Sequence, residues 1–352
     1  MSTEFYIYVL IYFFTMTFLI KPNFIRNDYV FFLVWLFISV SFGVYLNFSN
    51  LDTNLASNLY LTSDISSYVH DVQKDFWLDT QKREFVFWAL SKSLWVLFED
   101  AFMMFLIWNL ILYSVLYKGF YLIHKAFDTD NDIKDMRYLL FGVILFFPVV
   151  MGAHSFYRQL ISAVFFILAL GYVVNNKLFK GFVSSIAAIF IHNVGFIFLP
   201  ILLFLSNRLI FRIIAVLMLI LLPFALNFVE KSSNPFLVRT HQHTGDKITY
   251  LYILICLIIF SFFLLIESIK SNKNNLILPF CFTAFLIYTI SAITLESTLN
   301  AERIVFYMLT FFYPVGAYYV DETFVNKLEV KVLYFHLSLV PLVFHYYTAI
   351  NF

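Results

Sequence analysis

Apolar segments long enough to cross a lipid bilayer recur along this chain, and they constrain its fold more than any other feature. A helix needs about 20 predominantly apolar residues to cross the hydrocarbon core. Inside a bilayer, only helices and closed barrels pair all of their backbone polar groups. The composition agrees, because 62% of the residues are hydrophobic and only 13% are charged, whereas soluble domains carry about 25% charged residues. We therefore expect an all-α protein, a polytopic transmembrane helical bundle.

The apolar segments predict about twelve crossings, arranged as a single integral membrane domain over residues 1–352. The predicted spans are 5–20, 29–48, 98–118, 138–153, 158–174, 181–192, 195–206, 212–229, 248–268, 276–294, 303–320 and 332–349. Two of them, 181–192 and 195–206, are short for a full crossing, which favours two short crossings or a helix broken at His192. The alternative is one long helix through Gly195, which would invert the orientation of everything that follows.

The distribution of Lys and Arg sets the orientation, since cytoplasmic loops are enriched in these residues. Lys and Arg in the short connections, Arg137 among them, place the amino terminus outside. Two longer polar segments then lie on the outer, periplasmic side, the loop 230–247 and the segment 50–97 between the second and third spans. The segment 50–97 is polar and then amphipathic, which predicts a position on the outer membrane surface. Arg158 and Arg303 are exceptions, because both lie in short outer connections.

The segments 158–174 and 181–192 predict a hairpin whose basic turn lies in the cytoplasm. The first segment opens on Arg158 and the second closes on His192, so both residues return to the outer face. An arginine near the end of a membrane helix is a functional-site hypothesis by default. The alternative is an arginine that anchors the helix end by reaching for the interface.

Two arginines that enter the membrane from one side predict a site for phosphate or diphosphate. The planar guanidinium group gives permanently charged, bidentate hydrogen bonds to phosphate oxygens. In the alternative, Arg158 clamps two helices through an ion pair with Glu296 or Glu302. Four polar residues recur at helical spacing, and a continuous helix would place them on one face. They are Glu296, Asn300, Arg303 and Tyr307.

The remaining polar residues offer weaker candidates. His192 can be a catalyst or a hydrogen-bonding residue at a helix end, and Asp64 and Glu84 can be acid–base groups or ordinary surface charges. His241 and His243 are separated by one residue without a third ligand nearby, so a solvated loop is preferred to a zinc site. No nucleotide-binding motif occurs, and the net charge of +1 gives no sign of nucleic acid binding. We expect neither a metal nor a cofactor.

Three stretches of the chain resemble the EpsG/Wzy-type membrane polymerases of bacterial O-antigen, capsule and exopolysaccharide. The first is SDISSYVHDV with the later KREFVFWALSKSLWVLF, similar to the family's D-x-x-x-Y element and following Glu. The second is YRQLISAVFFILALGYVVNNKLFKGFVSSIAAIFIHNVGFIFLPI, like its R-Q helix, basic turn and helix ending in F-H. The third is ERIVFYMLTFFYP, like its late Arg-led helix. The matched positions are Asp64, Tyr68, Glu84, Arg158, His192 and Arg303.

This resemblance implies a multi-pass glycosyltransferase of the bacterial inner membrane whose active site faces the periplasm. It would join undecaprenyl-diphosphate-linked oligosaccharide units en bloc, as donor and acceptor, with a chain-length regulator protein as a further partner. The diphosphate already activates the donor, so the reaction needs no nucleotide. The alternatives are a transporter or flippase for a lipid-linked saccharide, and an O-antigen ligase with the same donor chemistry.

The resemblance also assigns roles to individual residues. Arg158 and Arg303 would stabilise the charge on the leaving diphosphate, with Arg239 as a third candidate. His192 would take the proton of the acceptor hydroxyl, because its intrinsic pKa lies near neutrality, and Asp64 or Glu84 would be the substitute. Further candidates for contact with the substrate are Gln159, Asn193, Tyr68, Asn300 and Tyr307.

Overall fold

The structure, a computed structural model, is helical throughout the part of the chain that it describes. The described residues are 3–54, 72, 84–127, 137–154, 157–205, 208–231, 258, 262, 265–266, 269–270, 277–293, 295, 298–323, 328–336 and 339. Over these ranges the residues outside helices lie in turns and short connections, and none is in a strand. The prediction of an all-α fold is therefore confirmed for the described part of the chain.

The chain divides into two compact units. The first contains Met1–Gly195 and Asn326–Leu339, and the second contains Phe196–Val325 and Val340–Phe352. The first unit has the helices α1 (Thr3–Ile20), α2 (Asp28–Asn54), α3 (Phe85–Phe98), α4 (Ala101–Phe127), α5 (Arg137–Leu145), α6 (Phe147–His154), α7 (Tyr157–Val174) and α8 (Leu178–Ile191), with a further helical stretch at 328–336. The second has α9 (Leu199–Phe204), α10 (Leu209–Lys231), α11 (Ile277–Ile293) and α12 (Thr298–Thr323).

Four of these helices are long and apolar enough to cross a membrane by length and composition. Their apolar stretches are Asp28–Phe48 in α2, Ala101–Ala126 in α4, Tyr157–Val174 in α7 and Leu209–Phe228 in α10. Shorter apolar helices accompany them, including α3, α8 and parts of α1, α11 and α12. The described helices therefore suggest a protein embedded in a membrane.

The helix boundaries differ from the predicted spans at two places where the backbone turns and agree with them at a third. Residues 85–98 form a separate helix, α3, which ends with Glu99 in a left-handed conformation (φ 50°), so the third span begins at Ala101 rather than at residue 98. The segment 138–153 is divided between α5 and α6 at Phe146. The segment 181–206 breaks at His192, as the short-segment interpretation anticipated. Most of the predicted spans 248–268 and 332–349 lies outside the described residues.

Helix α7 occupies the interior of the first unit, where it packs between α4 and α8. Glycines allow the backbones of α4 and α7 to come close together. A Cβ atom added at Gly171 would lie 2.7 Å from Leu122 Cβ and 3.1 Å from the carbonyl oxygen of Gly119. The backbones of α4 and α7 are thus so close that no side chain fits between them at Gly171. Membrane helix pairs that meet through small residues pack in the same way.

We expect Gly171→Val to destabilise the first unit, because its side chain cannot fit without separating α4 from α7. Overpacking of this kind costs about 1–3 kcal/mol. The measurement is the melting temperature of the purified protein in detergent. Ser93→Val on the exposed side of α3 introduces the same side chain where space is available, and it should melt close to wild type. Equal melting of the two variants would contradict the close packing.

Arg137 joins three helices at one end of the first unit. Its side chain is fully buried, and its guanidinium group pairs with Asp28 and donates hydrogen bonds to the carbonyl oxygens of Pro22 (3.1 Å) and Ile25. The guanidinium carbon lies 4.8 Å from the centre of the Phe31 ring. Arg137 therefore holds the α1–α2 connection against the start of α5, and it is not simply a loop cation.

The second unit contains an aromatic core around Phe198. The Phe198 ring lies 4.8 Å from that of Tyr288, 5.0 Å from that of Tyr307 and 5.7 Å from that of Phe311, measured between ring centres. The Tyr288 hydroxyl donates a hydrogen bond to the carbonyl oxygen of Ile197. These contacts pack the short 3-10 helix Asn193–Phe198, through its last residues, against α11 and α12.

Candidate functional site

A cluster of one carboxylate and two basic side chains lies at one end of the α7–α8 hairpin. Arg158 Nη1 donates a hydrogen bond to Glu84 Oε2 in an ion pair. His192 Nε2 lies 3.6 Å from the other carboxylate oxygen, Glu84 Oε1. Glu84 and His192 are buried, and the Arg158 side chain is about one-fifth exposed (20%). We call Glu84, Arg158 and His192 the polar cluster.

The pairing of α7 with α8 explains why Arg158 and His192 meet. Ser162 Oγ donates a hydrogen bond to the carbonyl oxygen of Ala188, 2.7 Å away. Arg158 lies one helical turn before Ser162, and His192 lies one turn after Ala188. Because the helices are antiparallel, both side chains come to the same end of the hairpin, and the opposite end turns through Asn176 at φ 59°.

His192 has a defined orientation because the helix ends at this residue. Its backbone is extended (φ −153°, ψ 120°), and its amide donates the last helical hydrogen bond to Ala188. The chain continues as the 3-10 helix that begins at Asn193. The backbone N–H of Val194 donates to His192 Nδ1 over 3.4 Å. The break therefore directs Nε2 of the imidazole ring toward Glu84.

The surroundings of Arg158 favour an anion. Arg158 is in the first turn of α7, where unpaired N–H groups and the helix dipole supply additional positive potential. Its guanidinium carbon lies 5.4 Å from the centre of the Trp88 ring, a distance at which a cation and an aromatic face attract. Trp88 follows Glu84 by one turn of α3, so this helix supplies both contacts. The guanidinium group is therefore held in place and still partly exposed.

Gln159, which follows Arg158 in α7, has a buried polar atom without a partner in the described part of the chain. Its side chain is 3% exposed, and its Oε1 atom has no hydrogen-bond partner among the described residues. A buried amide oxygen without a partner is costly. The Gln159 amide oxygen therefore has unused hydrogen-bonding capacity.

The other predicted site residues are not members of the polar cluster as defined above, and the structure describes them to different extents. Asn193 is exposed at the start of the 3-10 helix. Tyr307 is fully buried in the second unit against Phe198. For Asn300 and Arg303 the structure describes the backbone, in the first two turns of α12, and not the side chains. Asp64, Tyr68 and Arg239 lie outside the described residues. His241 and His243 do as well.

Sequence reasoning missed the pairing of Glu84 with Arg158 and the contact with Trp88. The alternative interpretation assigns Glu296 or Glu302 to Arg158. The structure shows Glu84 paired with this arginine, while Glu296 and the side chain of Glu302 lie outside what the structure describes. The spacing of Glu84 and Trp88 along one helical face was a usable signal, since residues one turn apart share a face. No local pattern connects either of them to Arg158, which is distant in the sequence.

The polar cluster can bind an anion and can hold or transfer a proton. Within the described ranges, no group of three or more His, Cys, Asp and Glu side chains is arranged to hold a metal ion.

Comparison with known proteins adds no family, because no family model, no curated protein and no solved structure matches this chain.

Proposed function

We propose that this protein is a polysaccharide polymerase that joins polyprenyl-diphosphate-linked oligosaccharide units en bloc. The observation that carries the proposal is the polar cluster, in which a partly exposed arginine at a helix N-terminus meets a buried carboxylate and a histidine. This combination offers one group for a leaving diphosphate and two groups for proton transfer. The sequence resemblance to EpsG/Wzy-type polymerases supports the same chemistry.

In the proposed reaction, the acceptor hydroxyl attacks the anomeric carbon of the donor sugar. A new glycosidic carbon–oxygen bond forms as the bond from that carbon to the diphosphate oxygen breaks. The electron pair of the broken bond stays on the diphosphate, and the hydroxyl proton passes to Glu84 or His192. Arg158 stabilises the charge that develops on the diphosphate, an effect that is large when the group is fixed in advance.

The finer parts of the proposal rest on the sequence. They are the count of about twelve crossings, the location in a bacterial inner membrane with the polar cluster facing the periplasm, and a chain-length regulator as partner. The assignment of Arg303 and Arg239 to the diphosphate is also a sequence prediction. Lys and Arg in the short connections support the orientation.

A flippase for lipid-linked saccharides is the second candidate, and the break at His192 favours it. Transporters often bind their substrates where a membrane helix is interrupted, and the chain is interrupted at the polar cluster. An O-antigen ligase is the third candidate, since it would use the same lipid diphosphate. The three functions differ in which intermediate accumulates when the protein is removed.

Deletion of the gene in its host, followed by gel analysis of the surface polysaccharide, separates these functions. We expect a polymerase deletion to leave single repeat units on the cell surface, or no capsule, with the ladder restored by the wild-type gene. Loss of a ligase would leave finished polymer on its lipid carrier. Loss of a flippase would leave single units facing the cytoplasm, inaccessible to added glycosidases in intact spheroplasts. Either of these last two results would contradict the polymerase proposal.

A further inference from the structure

The Glu84 carboxylate occupies part of the Arg158 guanidinium group that an anionic substrate would use. One of its oxygens accepts a hydrogen bond from Arg158 Nη1, and the other faces His192 Nε2 at 3.6 Å. Glu84 is 8% exposed, so its charge is compensated mainly by these neighbours and not by water. In this state, the positive charge of Arg158 is already neutralised by the protein.

The orientation of His192 distinguishes the two candidates for the proton acceptor. Val194 N–H donates to His192 Nδ1, and a ring nitrogen that accepts a hydrogen bond carries no proton. In the neutral ring, the proton is therefore on Nε2, the nitrogen that faces Glu84. His192 thus presents a donor to the carboxylate, and its own lone pair on Nδ1 is engaged by Val194, so Glu84 is the group of the pair with lone pairs available for a proton.

We propose that the donor diphosphate displaces Glu84 from Arg158 and that the released Glu84 accepts the proton of the acceptor hydroxyl. This inference rests on the proposed function and extends it to the regulation of the same site. A diphosphate carries more charge than a carboxylate and can bind the guanidinium group in a bidentate manner. It would therefore compete successfully for Arg158.

Release from Arg158 would make Glu84 a stronger base. A buried carboxylate that loses its positive partner binds a proton more readily, because burial disfavours the charged form. The acceptor oxygen then forms its bond to the anomeric carbon while its proton moves to Glu84, and the diphosphate leaves with the electron pair of the broken bond. The base is thus activated only when a donor is bound, which couples binding to reaction.

The test measures the binding of farnesyl diphosphate to the purified full-length protein in detergent, with farnesol as the control that lacks the diphosphate. We expect Glu84→Gln to bind farnesyl diphosphate at least about tenfold more tightly than wild type, since the competing charged hydrogen bond is removed. Arg158→Ala should lose the preference over farnesol. In cells, Glu84→Gln should lose the polysaccharide ladder even though it binds the diphosphate better.

Glu84→Asp provides a second variant if Glu84→Gln does not fold. The shorter side chain keeps a carboxylate but weakens its reach to Arg158, so we expect tighter binding of farnesyl diphosphate together with a retained, shortened ladder. If every Glu84 variant that folds binds farnesyl diphosphate with wild-type affinity, the displacement step is overturned. A normal ladder from Glu84→Gln would overturn the role as proton acceptor.

The same experiment separates failure of this inference from failure of the proposed function. If wild type prefers farnesyl diphosphate over farnesol through Arg158, but the Glu84 variants bind no more tightly, only the displacement step is wrong. If wild type and all variants bind farnesyl diphosphate and farnesol equally, no diphosphate site exists at the polar cluster. The proposed function then fails together with the inference drawn from it.

Discussion

Arg158→Ala is expected to abolish the polysaccharide ladder and to leave single repeat units. The guanidinium group lies over Trp88, and the diphosphate would release it from Glu84, so it is available to stabilise the charge on that leaving group. Removing a single fixed group of this kind lowers a rate by about 10²–10³. The measurement is gel analysis of surface polysaccharide from a deletion strain that carries the variant gene.

The same substitution also leaves Glu84 as a buried charge without this partner, so loss of function could follow from loss of folding. Removing one partner of a buried ion pair costs about 3–5 kcal/mol. The double variant Arg158→Ala/Glu84→Gln removes both charges and should restore the protein level without restoring the ladder. Arg158→Lys keeps the charge but not the bidentate geometry, and it should also fail. A ladder from the double variant would contradict both the diphosphate role of Arg158 and the role of Glu84 as proton acceptor.

Arg137→Ala is expected to have the largest effect on stability. Arg137 is fully buried and bonded to Asp28 and to the carbonyl oxygens of Pro22 and Ile25. Hydrogen bonds to a charged group contribute about 1.5–3 kcal/mol each, and the truncated side chain also leaves a cavity. Three such bonds are lost, so we expect a loss of at least about 4.5 kcal/mol in total, measured as a lower melting temperature and less protein in the membrane.

Two variants at the same end of the first unit provide controls for Arg137→Ala. The Asp28 side chain is about half exposed (51%), and Asn keeps an oxygen that can accept a hydrogen bond from Arg137, so Asp28→Asn should cost clearly less than Arg137→Ala. Arg26 is exposed, and Arg26→Ala should change the stability by no more than about 0.5 kcal/mol. If Arg137→Ala melts like Arg26→Ala, the hydrogen bonds of Arg137 contribute little to stability.

Helix positions were predictable because the described helices have strongly apolar sequences. The spans 158–174 and 276–294 agree closely with α7 and α11. The return of Arg158 and His192 to one end followed from the short basic turn between their helices. The breaks at Glu99 and Phe146 were missed, although the sequence carries a signal for each. Asp100 accepts a capping hydrogen bond at the start of α4, and Pro148 lies in the first turn of α6.

The contacts of the charged residues were less predictable than the helices. Arg137 was counted as a loop cation, because its partners Pro22, Ile25 and Asp28 are far away in the sequence. The carboxylate partner of Arg158 was missed for the same reason. Sequence spacing identifies neighbours on one helix, whereas these pairs depend on how separate helices pack. The contacts between Glu84, Arg158 and His192 are the basis of the proposed chemistry, so the structure adds most information at the polar cluster.

The most direct test of the proposed diphosphate chemistry is mass spectrometry of lipid-linked saccharides from cells that carry Arg158→Lys in place of the wild-type gene. We predict that polyprenyl diphosphate bearing a single repeat unit accumulates, while species with several units disappear and the amount of the variant protein stays near wild type. Multi-unit species at wild-type levels would contradict the assignment of Arg158 to the leaving diphosphate.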